Sequence, residues 1–463
     1  MAVSVVIFSI VLYIGEYGME SGQALIQTWT ANILVVFTAI VVLAVILKFL
    51  VELRIIKSNW LGKFFAINFE SKISPEFSRI KMPATKEWKL FLKIFVITIA
   101  SRMAIYIFVF IFYNLKINQL QGFFGSMQFL WNKWDSNHYL FLAENWYVNA
   151  PLDKKYLLVF YPLYPLLTMV THIFVRDYFA AGIIVSNICI SVAAYFLYKL
   201  CQLEFNDKIS MRAVKYMLIY PFAFFFGITY TESLFIALCI MSIYYIRRNS
   251  WGWAGFFGML ASFTRNQGLM LLVPAAVEYI LTFRVVYNIR KLQIKKLIQD
   301  FIHNGIFVCI IPIGFFLYLF INKAVSGEWF RFLEYQKENW HNTMTFFGSN
   351  LKLHMDYIIM GHKNTMGIWI PQIVSFALVL VLAFYGLNKM RTSYLAFIMA
   401  YLIFSYSPSW LLSGPRYILC LFPIYMLFAK FTEKSKVLDA ILTVLSIALL
   451  CFYSILFVQE GVY

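Results

Sequence analysis

The chain is 463 residues long, 62% hydrophobic and only 13% charged, with a mean hydropathy of +0.73. A soluble domain carries about 25% charged residues, so this composition excludes a fold solvated by water on all sides. The formal charge of +17 does not make the chain a nucleic-acid binder, because its basic residues lie in short loops between apolar runs rather than on one soluble face.

In chain order the apolar runs fall near 2–16, 30–50, 91–113, 157–175, 178–200, 214–230, 232–247, 251–266, 268–283, 304–322, 366–387, 392–412, 415–430 and 437–458. An α-helix needs about 20 apolar residues to cross the hydrocarbon core, and the runs lack the alternation of a membrane barrel. The expected fold is an all-α polytopic membrane protein, a bundle of about 11–14 transmembrane helices with a long first outer loop. Met1 to Ile14 has no basic flank and no small-x-small cleavage site, so it reads as a short first span rather than a cleaved signal.

Orientation follows from Lys and Arg in short loops. The segment 51–90 holds Arg54, Lys57, Lys63, Lys72, Arg79, Lys81, Lys86 and Lys89 and is expected on the cytoplasmic side. The same rule places Arg247/Arg248, Arg284 to Lys296 and Lys389/Arg391 inside, and the loops 114–156 and 323–364 outside. The run 157–175 breaks this alternation. Pro162 and Pro165 within it interrupt a regular helix, so the segment is expected to be bent and only partly inserted, as non-helical backbone is tolerated where protein or a wet cavity covers it.

Ionisable residues near apolar runs mark candidate function, because burying charge in a bilayer is costly. Asp135 lies in the first long outer loop, Glu232 in Tyr230-Thr-Glu-Ser, Arg265 in Thr264-Arg-Asn-Gln-Gly and Arg416 in Gly414-Pro-Arg-Tyr. By the topology above all of these face the outer side, which points to an extracytoplasmic polar site. Arg102 sits near mid-depth of its span, where it would pair with a carboxylate such as Glu232 or meet a lipid phosphate. His138 has no second His or Cys at helical spacing, which argues against a metal ligand. The loop 323–364, rich in aromatics such as Trp340, reads as a lid or a gate at the headgroup level. The basic stretch from Arg284 to Lys296, interleaved with Ile289, Leu292, Leu297 and Ile298, reads as a surface helix on anionic lipid.

Six pieces occur in a telling order: Trp131-Asn-Lys-Trp-Asp-Ser-Asn-His-Tyr, Phe160-Tyr-Pro-Leu-Tyr-Pro, Tyr220-Pro-Phe-Ala-Phe-Phe-Phe, Tyr230-Thr-Glu-Ser-Leu-Phe, Thr264-Arg-Asn-Gln-Gly and Pro415-Arg-Tyr. Together they resemble the motifs of Pig-V-like mannosyltransferases, a family of the GT-C superfamily of polyprenyl-phosphate-sugar-dependent glycosyltransferases. The resemblance covers roughly 90–430, with Ser101-Arg102 similar to part of the family's first span, and leaves residues 1–90 as leading spans without counterpart. Asn266 and Gln267 depart from the family pattern, in which Pro or Thr commonly follows the arginine.

The resemblance implies a membrane glycosyltransferase moving a hexose, expected to be mannose, from a polyprenyl or dolichyl phosphate to a lipid, glycan or protein acceptor outside the cytoplasm. It implies Asp135 as catalytic base; the chemistry of phosphate and sugar binding adds Arg265, Arg416, Glu232, Arg102, Trp134, His138 and Tyr139 as candidate substrate or donor contacts, and no metal or cofactor is expected. A prokaryotic cell membrane is favoured over the endoplasmic reticulum. The competing class is a transporter or lipid flippase, which should show two related halves with paired broken helices, and no internal symmetry is visible in the chain.

Overall fold

The computed structural model describes residues 22–67, 84–118 and 122–462. The expected span 2–16, and the part of the basic segment from 68 to 83, lie outside the described residues. What is described is all-helical except for one isolated bridge between Met344 and Pro408.

The helices run α1 (Gly22–Glu52), α2 (Ala84–Ile117), α3 (Phe123–Trp131), α4 (Asp135–Asn145), α5 (Leu163–Val175), α6 (Tyr178–Gln202) and α7 (Asp207–Leu218). They continue with α8 (Glu232–Arg247), α9 (Trp251–Ser262), α10 (Leu272–Thr282), α11 (Ile294–His303), α12 (Ile311–Ser326) and α13 (Arg331–Trp340). The chain ends with α14 (Phe347–Ile359), α15 (Ile370–Gly386), α16 (Thr392–Ser405), α17 (Gly414–Leu419), α18 (Pro423–Phe431) and α19 (Lys436–Val458).

Six helical segments among the described residues are long and apolar enough to cross a membrane: Trp29–Glu52, Thr85–Ile117, Tyr178–Gln202, Gly305–Ser326, Thr365–Gly386 and Lys436–Val458. The chain is therefore a polytopic membrane protein. The run expected to be broken is broken: the segments Asp153–Val159 and Leu163–Val175 meet at 107°, with Pro162 at the join. The other expected runs are interrupted rather than continuous. α7 stops ahead of Pro221, an extended Arg265 separates α9 from α10, and Pro415 and Pro423 open α17 and α18, as residues without a free amide or helical dihedrals must.

Capping fixes where several helices begin. Asp177, Asn206 and Ser435 accept the backbone amides of Ala180, Ile209 and Leu438 at the starts of α6, α7 and α19, satisfying donors that have no partner within the helix. At the centre lies α8, buried almost all round and flanked by α6 and α9. α9 in turn packs on α12 through small residues: a side chain on Gly314 would strike the Met259 carbonyl and Ser262, and one on Gly255 the Phe307 carbonyl. Such backbone approach is how membrane helices gain contact without a hydrophobic driving force.

Charged groups collect at both ends of α8. At its C-terminus Arg247 meets Glu204 at 2.8 Å, and Arg391 Nε meets Glu278 at 2.8 Å, with Ser393 on the same carboxylate at 2.6 Å. Lys48 of α1 joins that end by donating to the carbonyl of Leu387 at 2.8 Å and to that of Met390. Glu232 is the first of the 16 residues of α8, so a second charge cluster stands about 24 Å away along the axis.

Candidate active site

The second cluster is built on the loop before α4. Asp135 is the first residue of α4, where the helix dipole favours a carboxylate. It does not cap the helix; that position belongs to Trp134, held at φ +52° with no capping side-chain bond. A tryptophan at positive φ is costly and persists only where its surroundings enforce it. Here Tyr230 donates its hydroxyl to the Lys133 carbonyl at 3.0 Å, Ser136 bonds Asn132 at 2.7 Å and pairs with Thr229, and Lys133 bridges to Glu460 at 3.1 Å. The turn that presents Asp135 is thus fixed from α8's leading loop and from the chain's C-terminal segment.

Three further groups extend from Asp135 as a chain of ion pairs. Arg416 Nη1 donates to Asp135 Oδ2 at 2.8 Å. Its Nε lies 3.2 Å from Glu232 Oε1, an ion pair without a well-directed hydrogen bond. The same Glu232 oxygen accepts from Arg265 Nη1, while the other oxygen is buried without a hydrogen-bond partner. Glu232 is fully buried, and both arginines are 8% exposed. Burying charge is tolerable only with pairing of this kind.

The surrounding rings hold the guanidinium groups in place. Arg416 stands 5.2 Å from the Tyr230 ring and Arg265 5.0 Å from that of Tyr417, within cation–π range. Arg265 also reaches Thr231 at 3.2 Å and Gln267 at 3.3 Å. The departure noted at Gln267 therefore supplies a polar partner for the arginine.

Asp135, Arg265 and Arg416 line a cavity of about 810 Å³, together with Trp134, His138 and Tyr139. His138 packs on Phe160 at 5.0 Å. Burial pulls its imidazole below the usual value, against an upward pull from Asp135 and with a further downward one from Lys154, so the neutral form is favoured. Tyr139 sits edge-on to Phe160 and Tyr164, and burial first, then Asp135, raises its phenol. The bent segment contributes Tyr161, whose hydroxyl is buried without a partner while its ring stacks on Tyr318 at 3.9 Å.

The loop 323–364 supplies part of the cavity wall. Leu333, Glu334, Gln336, Lys337 and Trp340 of α13 line it, as does Trp410 opposite. Residues 343–345 are stitched to 407–409 by Thr345 N to Ser407 O and Ser409 N to Thr343 O, both 2.7 Å. Tyr161, Lys337 and Trp410 were not singled out by residue chemistry. Trp410 carries no sequence signal of its own, whereas Tyr161 lies inside a recognised motif.

Arg102 is a correction. It neither pairs with Glu232 nor lines the cavity: its guanidinium donates to the carbonyls of Leu218 and Ala223, and Nε contacts Ser101 at 3.3 Å. Those carbonyls are released where α7 ends and the chain turns through Pro221, and a buried carbonyl must find a donor. Among the described residues, no group of three or more His, Cys, Asp or Glu gathers in a way that could hold a metal ion.

No family model matches the chain, and no curated protein does. Among solved structures it is similar to ArnT from Cupriavidus metallidurans, crystallised with undecaprenyl phosphate, at 12% identity and a TM-score of 0.48 over 76% of this chain and 62% of that one. It is also similar to the Archaeoglobus fulgidus oligosaccharyltransferase tethered to an acceptor peptide, at 10% identity and a TM-score of 0.38 over 79% of this chain and 55% of that one.

Proposed function

We propose that the chain is a GT-C-type glycosyltransferase that moves a hexose, mannose by the motif resemblance, from a polyprenyl phosphate to a lipid, glycan or protein acceptor on the extracytoplasmic side. The observation that carries this reading is the meeting of Asp135, Arg265 and Arg416, far apart in the chain, at one wall of a large cavity, with the buried Glu232 paired to both arginines behind it. These are the residues on which the motifs converge, and their chemistry suits the reaction.

In such a transfer the acceptor oxygen forms a bond to the anomeric carbon while the bond from that carbon to the phosphate oxygen breaks, through an oxocarbenium-like transition state. The electron pair leaves with the phosphate, and the hydroxyl proton goes to a base. Asp135 takes the proton. Arg265 and Arg416 receive the phosphate, since the guanidinium fork makes paired, charge-assisted bonds to phosphate oxygens and stays ionised in a poorly hydrated site.

The shared arginine links the two tasks. Arg416 Nη1 donates to Asp135 Oδ2 at 2.8 Å, and a phosphate in the cavity competes for that donor. Each hydrogen bond it takes leaves Asp135 freer to accept the hydroxyl proton. Glu232, behind both arginines, keeps them oriented. Trp134 and His138 flank the carboxylate on the cavity wall and offer ring faces to a sugar.

The test is transfer of labelled sugar from a polyprenyl-phosphate donor by the purified chain in lipid discs, with vesicle uptake of the same donor measured in parallel. Transfer without flipping supports the reading. Donor movement across the bilayer with no new glycosidic bond would contradict it.

A further inference from the structure

α11 has no buried residue. Ile294, Ile298, Phe301 and Ile302 are all about half exposed, and with Leu297 they occupy an arc of about 140° on a helix turning 100° per residue. Lys295, Lys296, Gln299, Asp300 and His303 fill the remainder. A face so sorted is made to be covered, yet α11 packs mainly on the short helix Val285–Arg290 before it and the turn Gly305–Ile310 after it.

Its place in the chain identifies the cover. The membrane-spanning segment Gly305–Ser326 starts two residues beyond His303, so α11 is held at a bilayer boundary with no linker to carry it away. The exposed basic groups beside it are Arg290, Lys291, Lys295 and Lys296, with further apolar side chains at Ile289 and Leu292, and Asp300 is the one acid from 284 to 303. Lys295 lies at the margin of the apolar arc, next to Ile302, where an ammonium on its long stem reaches headgroup phosphates while the stem stays in the apolar layer.

We propose that α11 and the basic turn preceding it form an interfacial site for anionic phospholipid headgroups. Apolar burial holds the helix in the surface plane, and the lysines select negative charge. The site is separate from the cavity described above, and its occupant is the bilayer rather than a soluble partner. The inference does not depend on sugar transfer.

The test is amide hydrogen exchange over residues 294–303 in the full chain, held in discs of neutral phosphatidylcholine or in discs enriched in phosphatidylglycerol. The expected result is exchange slower by at least about tenfold in the anionic discs, a difference that shrinks in high salt, since each surface lysine contributes about fivefold. The double variant Lys295→Gln/Lys296→Gln should lose most of that difference while melting like the parent in neutral discs. Equal exchange in both lipids at low salt overturns the charge selectivity. Fast exchange in every bilayer shows that the membrane does not cover α11, and assigns its apolar face to another protein or a second copy.

Discussion

At the scale of single residues, the arginines carry a sharp expectation. Arg265 and Arg416 share Glu232 as counter-ion, and lysine at either place keeps the charge but loses the fork that grips two oxygens at once. Arg265→Lys and Arg416→Lys should each cut turnover by at least about tenfold, as loss of a charged hydrogen bond worth about 1.5–3 kcal/mol implies, with expression unchanged. Parental donor affinity and rate in both variants would reduce the arginines to scaffold. His138 gives a pH signature. Its folded-state value is lowered, chiefly by burial, so the unfolded chain binds the proton more readily. The stability it contributes is complete above the unfolded value of about 6.5 and is lost as pH falls from there through the folded value. His138→Gln should therefore melt with a flatter pH dependence than the parent below about pH 6.5. Identical melting profiles would place the imidazole in water.

At the scale of elements, Arg102 shows what a one-dimensional reading misses. A charge at mid-depth of α2 is legible as unusual, but its partners are carbonyls freed by the end of α7, more than a hundred positions away, and nothing in the residue types at 218 and 223 announces them. Its role is to lock α2 to the α7 turn. Arg102→Met should leave those carbonyls unsatisfied at about 1–3 kcal/mol each. A lower melting temperature is expected, with activity per folded molecule within about threefold of the parent. A variant that melts normally yet fails to bind donor would return Arg102 to the site. Other elements were readable in advance for a physical reason. Pro162 and Pro165 cannot sit inside a straight span, and the bend appears there. The wall contributed by α13 was half legible, because aromatic residues signal an interface but not which way the loop folds. The span count was harder to read, since an apolar run does not disclose where the backbone breaks between Leu218 and Thr282.

At the scale of the whole molecule, the composition settles the class, and the cost of buried charge singles out the candidate site. Asp135, Glu232, Arg265 and Arg416 stood out because each is ionisable beside apolar sequence, and the fold gathers all of them at one end of α8 while Arg247, Glu278 and Arg391 gather at the other. This two-ended arrangement fits the alternation of basic loops and predicts sidedness. Cysteines introduced at Lys154 and Lys337 should label from outside in intact cells, and one at Lys295 only after permeabilisation. Outside labelling at 295 would invert the account. In the proposed reaction the chemistry rests on Asp135, held beside Arg416 after a turn with Trp134 at positive φ. The most direct measurement is sugar transfer by purified Asp135→Asn in lipid discs. The amide keeps the shape but cannot accept the hydroxyl proton, so the account predicts a rate lower by at least about 10² with the melting temperature retained. A variant that melts like the parent and transfers sugar at close to the parental rate would contradict it.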